Sequence, residues 1–532
     1  MSEENKTQDD ISQDISNGFS DENSTLFGEK TAKKPIKTKK NKLALRVIIP
    51  IIVLAILAGT VFALTKLVPE TPVETETTSV PALTVTLFSA ASADIVSMRV
   101  TNQSGSYLMF STPAASEEED ALWSIEGIDS KYTNAQIISG TVEDFSTVIA
   151  SRKIEENAQD FAQYGLDKTY ASLEILAHDT SRNFKLELGD EDPTGDGRYA
   201  KVNGSNDVYL INSSTVKSIE RDTNSFISIF MLDAVAKSDD NEQFFDNDGA
   251  LIGFDEITIT SNKNAAPIVL KINPYKGISS IPYIMSAPVK QSVMGEAGDA
   301  VKAPMKTGLA ANGAYAYMPT PEQLKYYSMD KPEVVVNYTI GNLKVTLKIS
   351  ADPDDSQYYA VMVDDKPVIY QIVKTQLPFA AYTTEQYFNS YIFLDDITAV
   401  KTVTAVTENG AHVYELTHSK DEKDLDVLEV RSAGNTLDAQ NFRYLYQYMM
   451  SCTAMEFTMD KAPEGTPASL TLKVEYLDTT REPLEVSYVK TADRRYHVSV
   501  NGVPLGHAYQ NTVDNLISYD DSYFAGGEVP KP

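Results

Sequence analysis

From about residue 86 to the C-terminus, apolar residues recur at every second position in short runs, the mark of half-buried strands. In "ADIVSMRVT", Val96, Met98 and Val100 fall on one face and Ser97, Arg99 and Thr101 on the other. Leu173 and Ile175, then Phe184, Leu186 and Leu188, continue the alternation into the hairpin "YAKVNGSNDVYLI", which turns at Asn203-Gly204. Helical spacing interrupts this pattern twice. "TVEDFSTVIAS" opens with Thr141 and Asp144 as a capping-box-like start and aligns Phe145, Val148 and Ile149, which predicts a helix over 141–151. "NAQDFAQYG" predicts a shorter helix, with Asn157 as N-cap, Phe161 and Tyr164 inward, and Gly165 ending it in a left-handed turn.

The same order of elements then returns. "YYSMDK" answers "QYGLDK", Val334, Val336 and Tyr338 answer the first strand, Val345, Leu347 and Ile349 the next, and "YYAVMVDDKPVIYQI" the hairpin, turning at Asp364-Asp365. A third pass begins at "DDITAVKTVTAV" and holds the helical stretch "DAQNFRYLYQYMMS", with Phe442, Leu445, Tyr446 and Met449 on one face. It ends on "RYHVSVNGVPL", turning at Asn501-Gly502, and "FTMDK", Phe457 to Lys461, is its counterpart of the recurring phrase. In that phrase Tyr164 and Leu166 plug a core, Gly165 turns the chain, and Asp167 bonds the backbone of the turn. The fold class expected is α+β: a single N-terminal transmembrane helix followed by tandem repeats of antiparallel sheet plus helices, over 86–250, 251–392 and 393–525. Three such units in a row imply an elongated arrangement with surface between units.

The N-terminus has a different pattern. Residues 1–42 read as a disordered cytoplasmic tail whose end is basic: eight acidic residues precede Lys30, and Lys30 to Arg46 carry only basic charge. "VIIPIIVLAILAGTVFAL", Val47 to Leu64, is 18 residues without a charge, about 27 Å as a helix, so residues 43–68 are expected to span a membrane. Lysines on one side and "LVPETPVETETT" on the other place the tail inside and the bulk of the chain outside, a single-pass protein of the cell membrane. A cleaved signal peptide, with a cut near "FALTK", would have a shorter basic region and a shorter apolar run. No Cys follows the run, which excludes a lipidated N-terminal cysteine. Residues 69–85, rich in Pro, Thr and Glu, read as an extended linker.

Charge narrows the partners. Of 46 basic and 75 acidic residues, nine and eight lie at or before Arg46, leaving 37 against 67 in the remainder, or −30. Such a surface repels nucleic acid. The lone Cys452 permits no intrachain disulfide, so stability must come from packing.

Candidate chemistry is sparse. His178, His412, His418, His497 and His507 form no H-x-x-x-H pair, and with one Cys no zinc site is expected. His412 and His418 flank a strand-like run and are expected in solvent. No G-x-S-x-G, P-loop or G-x-G-x-x-G is present to anchor a triad or a phosphate. "FFDNDGALIGFDE" sets Asp246, Asp248, Gly249 and Asp255 at EF-hand positions, but Phe244 occupies the first. "GDEDPTGDGRY" and "ADPDDSQYY" read as tight turns at equivalent places, with a bound cation as the alternative. Tyr444 and Tyr448 lie beside the apolar helix face as edge-of-core packing or as a carbohydrate or partner platform. The expectation is therefore no catalytic, cofactor-binding or metal-binding residue, and no cofactor.

At "ALWSIEG", Tyr164 to Asp167, Gly189 before the acidic turn, and Tyr199 with Val208, Tyr209 and Leu210, the chain resembles the bacterial domain-of-unknown-function 4340 family, over roughly 90–215. The second unit resembles it less, lacking the Gly and Trp, and the third only in pattern. The resemblance implies a membrane-anchored, extracytoplasmic protein without an assigned enzyme activity, whose relatives often accompany gliding-motility-type ABC transporter components. The function expected is a non-enzymatic binding or scaffold protein, possible partners being transporter subunits or cell-envelope components. A cell-envelope hydrolase or transferase with a site between units is the alternative.

Overall fold

The computed structural model describes residues 84–112, 122–275, 282–364, 366–423, 425–491 and 493–532. The tail, the membrane span at 43–68 and nearly all of the linker therefore lie outside the described residues. Among the described residues no helix is long and apolar enough to cross a membrane.

Alternating residues build mixed helices and antiparallel sheets, as expected of an α+β chain. Three nine-stranded sheets form, and they share one plan. In the third, strands from Val400–Thr407 to Asn435–Leu437 run outward as a meander, a helix at Ala439–Ser451 follows, and Glu456–Phe457 adds a strand at the far edge. Leu470–Tyr476 then pairs beside Val400–Thr407, and three more strands fill the space out to Glu456–Phe457. The second sheet repeats this order strand for strand. The first has one strand fewer in its opening meander and an extra one, Val85–Ser89, beyond its far edge. A short ribbon pairing Phe230–Leu232 with Leu309–Ala310 links the first two units. One hydrophobic core, from Phe88 to Val529, runs through all three.

The helices are set by caps and apolar spacing. Asp438 accepts from the Asn441 amide at 2.6 Å, and Phe442, Leu445, Tyr446 and Met449 are buried, the face expected from sequence. The first helix departs from expectation. It spans Ala135–Ser146 with Asn134 as its cap, and Thr147–Glu155 is a strand with Val148 and Ala150 inward. Phe145 and Val148, three apart, fit only the helical period, but they fall on either side of a helix-to-strand boundary, where three β-branched residues, Thr147, Val148 and Ile149, favour the extended chain. Asn157 is no cap, since its φ is 55° and only a 3₁₀ turn, Ala162–Tyr164, follows. In the opening strand Ser97 is buried and Val96 is 38% exposed, because the register shifts between Ile95 and Ser97.

The recurring phrase packs on small clusters separate from the main core. Leu166 is buried with Ala158 and Val208, against Tyr164 and Tyr199, while Met329 is buried with Ala360 and Ile369, against Tyr327. Gly165 has φ 64°, and Ser328 takes the same left-handed turn at φ 55°. Gly189 lies flush against the Tyr164 carbonyl, where a Cβ would collide with it. In the second sheet Ser350 takes that position, and its hydroxyl donates to the Ser328 carbonyl at 3.2 Å. Asp167 makes no hydrogen bond to a turn among the described residues, contrary to expectation. In the third copy Met459 is 44% exposed and plugs nothing.

Gly189→Ala is expected to lower stability by about 1–3 kcal/mol, because its Cβ has no room. Gly140→Ala, in the open on the first helix, is expected to be neutral or to stabilise by up to about 1 kcal/mol. Thermal melts of the two variants check the contrast, and equal shifts would contradict the packing described.

A candidate ligand cavity between the second and third sheets

The segment 389–395 that joins the second unit to the third runs along a cavity of about 330 Å³. Ile392, Phe393 and Leu394 line it from this segment, Val289 from the second unit, and Val503 and Leu505 from the last hairpin. Gln291, 4% exposed, pins the segment by donating to the carbonyls of Asn389 and Tyr391, each at 2.8 Å.

Arg481 is the cavity's central polar group. A tight turn delivers it: Asp478 accepts from the Thr480 amide at 2.9 Å, and the Arg481 amide donates to the Asp478 carbonyl at 3.1 Å. Its guanidinium lies 3.5 Å from the centre of the Tyr476 ring and 4.5 Å from that of Tyr275. Nη2 pairs with Asp395 Oδ1 at 2.7 Å, and both side chains are nearly buried, at 11% and 7% exposed. Asp395 Oδ2 accepts from the Tyr476 hydroxyl at 2.9 Å, and burial with the Asp395 charge raises the Tyr476 phenol well above its ordinary range. Arg481 Nη1 is shut off from solvent and has no partner among the described residues. Lys290 and Glu482 close an exposed ion pair across the rim.

The arrangement suits binding better than proton transfer. The Asp395 carboxylate is occupied on both oxygens and neutralises the guanidinium. The aliphatic and aromatic walls suit a ligand that is largely apolar.

The sequence-stretches singled out earlier lie elsewhere. In the acidic turns, Asp192 accepts from Thr194 and, at 3.0 Å, from the Tyr199 hydroxyl, bonds that hold its carboxyl below the usual range, and Asp352 accepts from Tyr315. Asp246 accepts from the amides of Asp248 and Ala250, while Asp255 accepts from the amide of Gly341, so the EF-hand-like positions do not converge. Tyr448 packs on Tyr519 with ring centres 4.6 Å apart, and Tyr444 is half-buried against the core. Cys452 is fully buried, which pushes its thiol up to about 12. His178 is exposed and His418 bonds the Val400 carbonyl at 2.9 Å. His412 is buried, contrary to expectation, under Phe524. His497 bonds the Asp460 carbonyl and faces His507 across a strand pair. No motif announces Arg481 and Asp395, which are 86 residues apart in the chain.

Sheets and cavity together define a repeated antiparallel α+β protein with a cavity at a junction of units. Residues 123–239 match the family described as Domain of unknown function (DUF4340), and this segment belongs to that family. The match takes in Trp123, the phrase at Tyr164, Gly189 and Tyr199, and does not reach the cavity. No curated protein and no solved structure matches the chain.

Arg481→Met is expected to cost about 3–5 kcal/mol, because it strands the buried Asp395 carboxylate, whereas Arg481→Met with Asp395→Asn should cost clearly less. Denaturation midpoints of the single and double variants test this. A single variant as stable as the wild type would show that the pair is not buried in solution.

Proposed function

We propose that this is a non-enzymatic, membrane-anchored binding or scaffold protein. Residues 43–68 hold it in the membrane, the N-terminal tail is cytoplasmic, and the acidic remainder is extracytoplasmic. There it engages a transporter subunit or another component of the cell envelope. The observation that carries the binding role is the largely apolar cavity of about 330 Å³ between the second and third units, walled on one side by the buried Arg481–Asp395 pair. The hydrolase alternative needs a free carboxylate in the cavity. Asp395 is tied to Arg481 and Tyr476, and Glu482 to Lys290 on the rim, so neither supports it.

The test is crosslinking in intact cells with a tag after Pro532, followed by mass spectrometry of what co-purifies in detergent. Wild-type protein is expected to recover a stoichiometric membrane or envelope partner. Val503 is 40% exposed on the cavity lining, and Val503→Arg should cut that recovery by about tenfold, a loss of about 1.4 kcal/mol, without moving the melting temperature. Recovery of the protein alone would count against the scaffold role. Retention of the partner by Val503→Arg would separate the partner from this cavity.

A further inference from the structure

The burial of His412 has a chemical consequence that the sequence did not announce. His412 lies on the strand Gly410–Lys420, and Asp520 and Asp521 lie on the last helix, Gln510–Phe524. One ligand atom from each of the three comes within 4.8 Å of the others. His412 Nδ1 is 2.7 Å from Asp520 Oδ2 and 3.9 Å from Asp521 Oδ1.

Each carboxylate is held by one oxygen and offers the other. Asp520 Oδ1 accepts from the Tyr414 hydroxyl at 2.8 Å, and Asp521 Oδ2 accepts from the Asn409 amide at 2.9 Å. Asp520 Oδ2 faces the imidazole, and Asp521 Oδ1 is buried without a hydrogen-bond partner among the described residues. The imidazole plane is fixed by Phe524, stacked at 3.8 Å between ring centres and 11° between planes. Three donor atoms converge, each oriented by a neighbour that does not itself compete for the centre. Such outer support is what metal sites use to aim their ligands.

We propose that His412, Asp520 and Asp521 bind one divalent cation of the zinc or manganese class, by His412 Nδ1, Asp520 Oδ2 and Asp521 Oδ1. Two carboxylates and a neutral imidazole carry a charge of −2, which a divalent ion balances. Bonds of about 2.0–2.2 Å require ligand atoms no more than about 4.4 Å apart, which a small inward rotation of Asp521 achieves. The ion takes the place of the proton shared by His412 and Asp520. Asp521, at 33% side-chain exposure, gives the ion its access and leaves room for water to complete the coordination. Bound metal fastens the last helix to the third sheet.

The test uses the full chain in mild detergent, stripped with chelator and titrated with Zn²⁺, Mn²⁺ and, as a spectroscopic probe, Co²⁺. One equivalent is expected to bind, raise the melting temperature and, with Co²⁺, give visible absorption bands. Asp521→Asn, on a half-exposed side chain, should weaken binding by about a hundredfold or more, and Asn409→Ala, outside the ligand set, by about 10- to 100-fold. Both variants should melt like the metal-free wild type. No stoichiometric binding at millimolar metal would overturn the site, and so would binding that Asp521→Asn leaves unchanged.

Discussion

Every sheet in this protein is closed at its centre by strands that lie far apart in the chain. Val100 pairs with Leu173, Ile257 with Tyr338 and Val403 with Val474, separations of 73, 81 and 71 residues. Until that pairing forms, the opening meander has an unpaired central edge and the later strands have nothing to build on. The first strand of each opening meander must therefore accept a partner on either side, and its apolar face must match both. The central strands meet this by alternation: Ile257 and Ile259 are buried opposite Tyr338 and Val336, and Val403 and Ala405 opposite Val474 and Leu472. With no disulfide to hold the ends together, this non-local pairing and the core that crosses all three units are what fix the architecture.

A second device sets register within the later half of each sheet. Asn203, Asp364 and Asn501 begin the last hairpin at φ 50°, 47° and 47°, and each side chain reaches back to the preceding strand. Their oxygens accept from the amides of Lys185, Thr346 and Glu485 at 2.8, 2.7 and 2.7 Å. One residue thus turns two strands and pins a third, which explains why Asn or Asp stands there when many residues suit an ordinary turn. The plug phrase varies more freely because it sits on smaller satellite clusters. Gly165 with Gly189 and Ser328 with Ser350 are two solutions to the same close approach, one by removing side chains and one by bonding them.

Period and turn chemistry were legible wherever one face is buried and the neighbours are local. The helix at Ala439–Ser451, with Phe442, Leu445, Tyr446 and Met449 inward, and the turns at Asn203-Gly204 and Asn501-Gly502 follow from residues a few positions apart. The helical spacing of Phe145, Val148 and Ile149 runs across a helix-to-strand boundary, and only the partner strand Val208–Asn212, over 50 residues on, decides for extension after Ser146. His412 stands near the start of its strand, on the same face as the buried Tyr414 and Leu416, and the helix that covers it comes about 100 residues later. The cavity residues were illegible for the same reason, since Arg481 acquires its meaning from Asp395 and Tyr275, which belong to other parts of the chain.

The placement of the polar groups follows from this division of labour. Within sheets, apolar packing is sufficient, and a buried ion pair adds little that well-fitted hydrophobic side chains would not. At the junction of the second and third units, Arg481 and Asp395 are almost completely buried, yet one guanidinium nitrogen has no acceptor among the described residues. An arrangement serving stability alone would satisfy that nitrogen or replace the pair with aliphatic side chains. Contacts with the Tyr476 and Tyr275 rings and the hydrogen bonds on Asp395 instead hold the guanidinium in one orientation. Asp395 on the connecting segment and Arg481 on the turn of the third unit are thereby held together at the wall of the cavity.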